Sequence, residues 1–379
     1  MMAELGEHVN AALRAFEEEH PDPQLLVIGA TGTGKSSLVN RLFNQRLQAV
    51  NRVESTTREF ATHTFDVNGT RVSITDSPGY GEVDHDEEYA ANVVRASANA
   101  HAIVLVLKAD EKGYQRDLDI VRAVSAHPDC PRDKAVIIAL NQIDKLPPVR
   151  DWAPPYDLGK GSESTDSLKL RHMREKVALV EEQFAGVLQG RHHEVIPVML
   201  EPAEGPTFGV RRFREALFEA LPAVAQVKYA LASKVAEQAS EEFVMRLDKA
   251  ADAIILKAAS AAAGGVLVNP IPLSDFLLLA PIQVGLVIKL GSLYGHPVDK
   301  SSAPEVLGAL GGGVLARSLF QQVISLLPGA KNVLGPPYAA AATHGIGSVA
   351  KRYFKSGSLP SEEELRVQVE TQLYHRLEA

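Results

Sequence analysis

The chain has 379 residues, of which 45% are hydrophobic and 23% charged, and this composition excludes a wholly disordered chain, a collagen and a coiled-coil rod. Its net charge of -8 makes it a poor nonspecific binder of nucleic acid, and its single cysteine excludes an internal disulfide. The first 20 residues are acidic throughout and lack an apolar core, so we expect no secretory signal and a cytoplasmic protein.

The N-terminal part of the sequence alternates apolar runs with amphipathic segments. After a short amphipathic helix within residues 1–20, strands are predicted at 24–28, 59–67, 70–76, 102–107, 135–140 and 194–199, and helices at 35–45 and 168–188. The second and third strands form a hairpin around Asn68-Gly69. Continuous apolar strands alternating with helices are typical of a parallel sheet that is covered on both faces. We therefore expect an α/β fold with a mostly parallel six-stranded sheet and one antiparallel edge hairpin.

The C-terminal part differs in charge density, because residues 251–350 carry only 9 charged residues in 100. We predict an N-terminal helix at 1–20, an α/β domain at 21–221 and an all-α domain at 222–379. Residues 223–263 are predicted to form one or two helices that end at Gly264-Gly265. Residues 146–165 are rich in proline and glycine and are predicted to form a surface loop, in which Trp152 is a packing anchor.

A phosphate-binding motif lies between the first predicted strand and the next helix. Residues 29–36 read Gly-Ala-Thr-Gly-Thr-Gly-Lys-Ser and match GxxxxGK[ST], in which backbone N–H groups surround phosphates. Lys35 is expected to reach the β- and γ-phosphates and Ser36 to hold Mg²⁺. The residues predicted to bind the nucleotide here are Gly29, Thr31, Gly32, Thr33, Gly34, Lys35, Ser36 and Ser37.

Two downstream segments complete the predicted phosphate and metal site. Asp76-Ser-Pro-Gly79 follows an apolar strand, where Asp76 can bind Mg²⁺ through water and the Gly79 N–H can meet the γ-phosphate. Thr57 is predicted to complete the Mg²⁺ shell in the triphosphate state. The predicted metal ligands are thus Ser36, Thr57 and Asp76, and the predicted catalytic groups are Lys35, Thr57 and Gly79.

The predicted base-binding segment is Asn141-Gln142-Ile143-Asp144, directly after a buried strand. A carboxylate at Asp144 can accept hydrogen bonds from guanine N1–H and N2–H₂, a donor pair that adenine lacks. Asn141 can tie this segment to the phosphate loop. The alternative is an ordinary Asn/Asp turn.

The order GxxxxGKS, TTR, DxPG and NxxD over residues 20–221 resembles the Era/TrmE class of P-loop GTPases. This resemblance implies a P-loop NTPase fold, GTP and GDP as ligands, and Mg²⁺. Gln142 replaces the lysine of NKxD, which shortens the packing on the base. Tyr80 occupies the position where Ras-like proteins carry a water-orienting Gln, so intrinsic hydrolysis is expected to be slow.

Three further features concern the base cap, the phosphate loop and catalysis in trans. The Ser-Ala-Lys base loop is not evident, and residues 199–203 are predicted to cover the base through backbone contacts. Gly32 replaces the P-loop Asn of potassium-stimulated relatives. Arg58 is either an arginine finger across a homodimer or a surface residue that packs in the switch.

The apolar C-terminal stretches allow two interpretations. The 17 uncharged residues from Ala258 to Ser274 are interrupted by Asn269-Pro-Ile-Pro272, so they approach but do not reach the length of a membrane span. Residues 258–291 are therefore either part of an Ala/Gly-rich helical bundle or a hairpin on the inner membrane. Pro270-Ile-Pro272, Leu326-Leu-Pro-Gly329 and Gly345-Ile-Gly347 resemble the YcjF-related helical domain, whose function is unresolved.

Three functions follow, and the sequence leaves them open. The first is a Mg²⁺-dependent GTPase whose nucleotide state repositions the helical domain and acts on an effector. The second is a nucleotide-gated membrane or scaffold protein in which turnover is incidental. The third, an Era-like protein of ribosome or RNA assembly, is disfavoured by the acidic chain, and nucleic acid is not an expected partner.

Overall fold

The structure of the protein is a computed structural model, which describes residues 2–43, 51–52, 61–67, 70–76, 86–127, 134–156, 158, 167–188, 190–201, 206–268, 275–296 and 336–357. The chain divides into two compact units. One is Asp22–Val235, and the other combines Met1–Pro21 with Ala236–Ala379. The first unit contains a central sheet, and the described elements of the second are helices.

The sheet of the first unit has seven described strands. They are β1 (Gln24–Ile28), β2 (Asn51–Arg52), β3 (Ala61–Val67), β4 (Thr70–Asp76), β5 (Ala102–Lys108), β6 (Val136–Asn141) and β7 (His193–Val198). Their order across the sheet is β2-β3-β4-β1-β5-β6-β7. The five strands from β4 to β7 in this order are parallel, whereas β3 pairs antiparallel with both β4 and β2. The predicted parallel sheet with an antiparallel edge is confirmed, and β2 adds a seventh strand that is too short to leave a pattern in the sequence.

Helices cover both faces of this sheet. They are α2 (Lys35–Leu42), α3 (Asp86–Asn99), α4 (Gln115–Ala126), α5 (Leu168–Leu188), α6 (Val210–Ala220) and α7 (Ala223–Ser233). Side chains of α3, α4 and α5 share one buried cluster with Leu26 and Ile28 of β1, whereas Leu25 and Val27 are buried outside that cluster. This alternation follows from the two-residue period of a strand. The second helical layer consists of α2, α6 and α7.

The segment after β6 is compact where the structure describes it. Trp152 packs against Tyr156 and Phe208, with ring centroids 5.2 and 5.5 Å away. These side chains adjoin the main buried cluster, so the predicted packing role of Trp152 is confirmed. Residues 157 and 159–165 of the predicted loop lie outside the described residues.

The structural boundary between the two units lies after helix α7, further along the chain than the boundary predicted at 221/222. Helix α7 packs against β4, and its buried Lys228 donates a 2.9 Å hydrogen bond to Asp22, at the start of the same unit. A 3₁₀ turn at Val235–Gln238 follows Lys234, which has a φ of 50°. The amino-acid composition changes before α7, which is why the sequence predicts an earlier boundary. Because α7 packs against the sheet, the structural boundary lies at 235/236.

The second unit contains four described helices: α1 (Met2–Glu19), α8 (Glu241–Val268), α9 (Asp275–Leu293) and α10 (Pro336–Ser356). Helices α8, α9 and α10 pack against one another, and α1 packs against α9. An ion pair between Glu19 and Lys289 joins α1 to α9. The N-terminal helix therefore belongs to the C-terminal helices, a pairing that no local sequence pattern could indicate.

Two glycine positions in the helical unit differ from what the sequence alone suggests, one inside α8 and one inside α10. The predicted end at Gly264-Gly265 is wrong, because α8 continues to Val268. Each interior glycine costs a helix about 1 kcal/mol, a loss that tertiary contacts commonly outweigh. Gly347 of α10 shows such contacts: a Cβ there would lie 2.8 Å from Ile255 of α8 and 3.0 Å from Leu286 of α9. Glycine thus lets the three helices approach closely.

Within the described residues, we find no helix that combines the length and the apolar character needed to cross a bilayer. The segment 258–291, predicted as a candidate for membrane contact, consists of the end of α8 and most of α9. Its residues 269–274, which contain both prolines of Pro-Ile-Pro, lie outside the described residues. Membrane contact stays a prediction.

Candidate functional site

The predicted nucleotide-binding segments meet at one edge of the sheet. Residues 29–36 follow β1, Asp76 ends β4 and Asn141 ends β6. In the parallel register Val27 lies beside Asp76, and Lys108, the last residue of β5, lies beside Asn141. Ligands of open α/β sheets bind beyond the carboxyl ends of the strands, which is where these residues lie.

Two glycines of the phosphate loop are required by close contacts. Gly29 has a φ of 151°, and a Cβ on it would lie 2.5 Å from the carbonyl oxygen of Val106. Gly34 has a φ of 101°, and a Cβ on it would lie 2.4 Å from Nδ2 of Asn141. No other residue type fits either position without displacing a neighbour. The loop therefore lies directly against β5 and against the start of the base-binding segment.

Side chains of the loop hold its shape from within. The buried Thr33 hydroxyl donates a 2.9 Å hydrogen bond to the carbonyl of Ala30. Lys35 Nζ donates to the carbonyls of Gly29 and Ala30, at 3.0 and 3.2 Å. The ammonium group therefore lies over the loop, while Thr31 and Ser36 are exposed beside it.

The segment after β7 lies along helix α2. Arg41 Nε donates a 3.1 Å hydrogen bond to the carbonyl of Leu200, and the Ser37 hydroxyl donates to Glu201 at the same distance. Backbone hydrogen bonds between Met199 and Phe208 bring the two ends of this loop together. The described part of the predicted base cap at 199–203 thus lies beside the helix that follows the phosphate loop, and its residues 202 and 203 lie outside the described residues.

Asn141 joins the phosphate loop to the base-binding segment. Its side chain is 3% exposed, its Nδ2 donates a 2.8 Å hydrogen bond to the carbonyl of Thr33, and its Oδ1 accepts one from the backbone N–H of Gln142. Gln142 has a φ of 61°, and its side-chain carbonyl accepts a 2.9 Å hydrogen bond from Lys145. Asp144 lies in the 3₁₀ turn Ile143–Lys145 and is half-buried.

A residue that the sequence did not indicate holds this turn in place. Lys169, on α5, is fully buried and donates hydrogen bonds to the carbonyls of Asp144, at 2.6 Å, and Leu146. Its Nζ also lies 5.5 Å from the centre of the Trp152 ring. The pKa of the Lys169 ammonium is lowered, because the effect of burial outweighs the opposing effect of the nearby carboxylates of Asp144 and Asp151. Lysine at the start of a helix usually points to solvent, so the sequence gives no signal for this role.

A second lysine of α5 makes the equivalent contacts with the loop after β5. Lys176 Nζ donates a 2.7 Å hydrogen bond to the carbonyl of Glu111 and lies 4.7 Å from the centre of the Tyr114 ring. The Tyr114 hydroxyl in turn donates a 2.6 Å hydrogen bond to the carbonyl of Lys108. Lys169 and Lys176 are seven residues apart, which is about two helical turns and places them on one face. Helix α5 therefore fixes two neighbouring loops at the site.

Several predicted site residues fall beyond the part of the chain that the structure describes. Thr57, Gly79 and Tyr80 lie outside the described residues, as does Arg58. For Asp76 the structure describes the backbone at the end of β4. Their roles in metal binding and catalysis stay predictions.

Two known protein families match different parts of the chain. Residues 24–142 match the family described as 50S ribosome-binding GTPase, and residues 230–376 match the family described as Domain of unknown function (DUF697). The resemblance to Era/TrmE-type GTPases and to the YcjF-related domain is thereby confirmed. The match to a GTPase domain family supports binding and hydrolysis of GTP.

Individual relatives cover different shares of the chain. Uncharacterized protein YfjP of Escherichia coli is 27% identical over 59% of this chain and 73% of its own length. The tRNA modification GTPase MnmE of Koribacter versatilis is 30% identical over 33% of this chain and 27% of its own. Magnetosome membrane protein 22 of Magnetospirillum gryphiswaldense is 31% identical over 23% of this chain and 49% of its own. The chain thus spans less than half of the latter two.

Among solved structures, the chain is similar to an Era variant of Aquifex aeolicus bound to GDP and AlF4⁻. The two are 16% identical, the match covers 58% of this chain and 68% of that chain, and the TM-score is 0.34. It is also similar to the G domain of the FeoB iron transporter of T. maritima, with 17% identity, coverage of 53% and 99%, and a TM-score of 0.33. Scores this low add nothing to an assignment of function. On the family matches, the chain carries a P-loop GTPase domain followed by a DUF697 domain.

Proposed function

We propose that this protein is a Mg²⁺-dependent GTPase that converts GTP to GDP and phosphate and acts as a nucleotide-controlled switch. The observation that carries the proposal is the buried Asn141, whose amide joins the carbonyl of Thr33 to the segment that carries Asp144. To bind a guanine nucleotide, the protein must hold its phosphate loop and its base-binding carboxylate at a fixed separation. Asn141 supplies that fixed connection.

The phosphate loop is built to surround an anion. The close contacts at Gly29 and Gly34 leave room for backbone alone, and helix α2 begins at Lys35 with its N-terminus toward the loop. Backbone N–H groups and a helix N-terminus attract phosphate. Lys35 is the cation for the β- and γ-phosphates, and it would exchange its present carbonyl partners for phosphate oxygens.

The residues near the loop fit a magnesium ion, because hydroxyl and carboxylate oxygens are its preferred protein ligands. Ser36 presents an exposed hydroxyl in the first turn of α2, and Asp76 ends the strand beside β1. These two residues, with Thr57 in the triphosphate state, would hold the ion. When bound, Mg²⁺ supplies positive charge against the β- and γ-phosphate oxygens.

Hydrolysis requires a water molecule aligned with the γ-phosphate. The Gly79 N–H is proposed to hold the γ-phosphate, and Tyr80 lacks the amide with which a glutamine orients water. Turnover by the chain alone should therefore be slow. A partner protein or a second copy that supplies Arg58 would raise the rate, and the nucleotide state would be read by the helical domain and an effector.

The proposal is tested by the nucleotide specificity of Asp144→Asn. Wild-type protein should bind GDP and not ADP in isothermal titration. Asp144→Asn should weaken GDP and favour xanthosine diphosphate, whose base keeps the N1–H donor but carries an oxygen acceptor at position 2 in place of the amino group. A hydrogen bond to a charged group contributes about 1.5–3 kcal/mol, so GDP affinity should fall about 10- to 100-fold. Unchanged GDP affinity in Asp144→Asn would contradict the base assignment.

A second candidate function is nucleotide-controlled association with a membrane. The observations that favour it are the charge-poor segment 251–350 and the similarity to a magnetosome membrane protein. Flotation of the full chain with liposomes, once with GDP and once with a non-hydrolysable GTP analogue, tests it. Flotation in one nucleotide state would support membrane association, whereas flotation in neither state would contradict it.

A further inference from the structure

A second lysine lies beside the phosphate loop. Lys108 is the last residue of β5, and its Nζ lies 3.9 Å from the position that a Cβ on Gly32 would take. The described residues offer Lys108 Nζ no hydrogen bond and no ion pair. A half-buried ammonium group without a partner among those residues, placed against an anion-binding loop, is a group available to a ligand.

The position of β5 defines which part of a nucleotide Lys108 would meet. In the sheet β5 lies between β1, which leads into the phosphate loop, and β6, which leads into the base-binding segment. Lys108 is paired in register with Asn141. A nucleotide that reaches from the phosphate loop to Asp144 must place its sugar and α-phosphate between these two segments.

The backbone of Lys108 is fixed on both sides. Its carbonyl accepts a 2.6 Å hydrogen bond from the buried Tyr114, and the next N–H, that of Ala109, donates a 2.8 Å hydrogen bond to the carbonyl of Asn141. Lys176 holds the adjacent turn by its bond to Glu111. The Lys108 side chain therefore starts from a defined point at the site, which reduces the entropy lost when it binds.

The base-binding segment lacks the cation that Lys108 can supply. Gln142 stands at the second position of NxxD, and its amide carbonyl is bonded to Lys145. We propose that Lys108 compensates with a different contact: its stem packs against the loop at Gly32 and its ammonium binds oxygens on the sugar and α-phosphate side of a guanine nucleotide. This inference rests on the proposed GTPase function and names a binding residue within that site.

The proposal predicts how affinity depends on the nucleotide. GDP and GTP share the sugar and α-phosphate, so Lys108→Met, which keeps an apolar stem and removes the charge, should weaken both by the same factor, about 10-fold or more. The exposed Lys112, four residues along the same segment, provides the matched control, and Lys112→Met should bind as the wild type. The ligands should be unlabelled GDP and a non-hydrolysable GTP analogue in isothermal titration, because ribose dyes would disturb the contact.

Two further readouts separate binding from general damage. In steady-state assays the loss in Lys108→Met should appear in KM and leave kcat unchanged. A lysine introduced by Gln142→Lys should restore most of the lost affinity in the Lys108→Met background. Thermal melts establish that each variant is folded, and Lys108→Gln replaces Lys108→Met if the latter is not.

The outcomes distinguish this inference from the proposed function. Wild-type protein that binds no guanine nucleotide would overturn the proposed function itself. Wild-type protein that binds GDP, with Lys108→Met and Lys112→Met both unchanged, would overturn the role of Lys108 alone. A loss confined to the triphosphate analogue would also overturn it, since that result would place the ammonium at the γ-phosphate.

Discussion

The substitution Lys169→Met tests whether helix α5 holds the base-binding turn. Lys169 is fully buried, and its Nζ is hydrogen-bonded to the carbonyls of Asp144 and Leu146. Each such bond from a charged donor contributes about 1.5–3 kcal/mol. Because methionine also removes the cost of burying a charge, we expect the free energy of unfolding to fall by only about 1–3 kcal/mol.

The larger consequence should be on recognition of the base. Without Lys169 the turn at residues 143–145 loses the hydrogen bonds that fix its carbonyls, so the Asp144 carboxylate is no longer held at one position. If binding then loses about 1.4–2.8 kcal/mol, the Kd for GDP rises about 10- to 100-fold. Inosine diphosphate lacks the 2-amino group, so its affinity depends less on Asp144. The preference for GDP over inosine diphosphate should therefore shrink in Lys169→Met.

Helix α5 supplies a matched control in Lys176→Met. Lys176 also donates to a main-chain carbonyl and lies over an aromatic ring, but its partner is Glu111 rather than the turn at Asp144. Lys176→Met should cost less stability, because Lys176 is half-buried and donates one hydrogen bond, and it should leave the ratio of GDP to inosine diphosphate affinity unchanged. Titration calorimetry of both variants with both nucleotides provides the comparison. The reasoning would be refuted by a folded Lys169→Met protein that keeps the wild-type ratio, or by equal loss of the ratio in both variants.

Two other predictions concern the phosphate loop and the helical unit. Gly34→Ala adds a Cβ 2.4 Å from Asn141 Nδ2 and costs about 1–2 kcal/mol of backbone strain at a φ of 101°, so GDP affinity measured by titration should fall at least about tenfold. Burial raises the pKa of Asp248, but hydrogen bonds from Lys355 and Tyr294 outweigh burial and lower it. The ionised Asp248 therefore stabilises the fold fully at pH values above the ordinary pKa of an aspartate, and this stabilisation is lost as the pH falls through the lowered pKa. Asp248→Asn should remove this part of the acid sensitivity in thermal melts of the full chain.

The fold was largely predictable because its elements have strong local patterns. Strands β5 and β6 are continuous apolar runs, and helix α5 has the predicted bounds, Leu168–Leu188. The predictions fail where tertiary contacts override a local signal. Gly264-Gly265 indicates a helix end, yet α8 continues through it. Likewise the pairing of α1 with α9 joins segments about 270 residues apart, as the ion pair of Glu19 and Lys289 illustrates, and no local pattern encodes such a distance.

The candidate site was predictable to a different degree for each kind of group. Glycines and polar residues at fixed spacing carry their chemistry in the sequence, so the motifs alone assign the loop at 29–36 and the segment at 141–144 to one site. Lys108 and Lys169 have no such signal, because each acts through its position in the fold. Lys108 lies at the site because β5 separates β1 from β6, and Lys169 because α5 passes behind the base-binding turn.

The arrangement of buried hydrogen bonds bears on how this site would bind its ligand. The base-binding segment is held from two directions: the amide of Asn141 connects it to the phosphate loop, and the ammonium of Lys169 connects it to helix α5. Both donors are buried, so neither connection competes with water. A site ordered in this way loses little conformational entropy on binding, which favours affinity from few contacts. Gln142 removes one contact that related GTPases have, and a rigid site with a cation at Lys108 is one that can tolerate that loss.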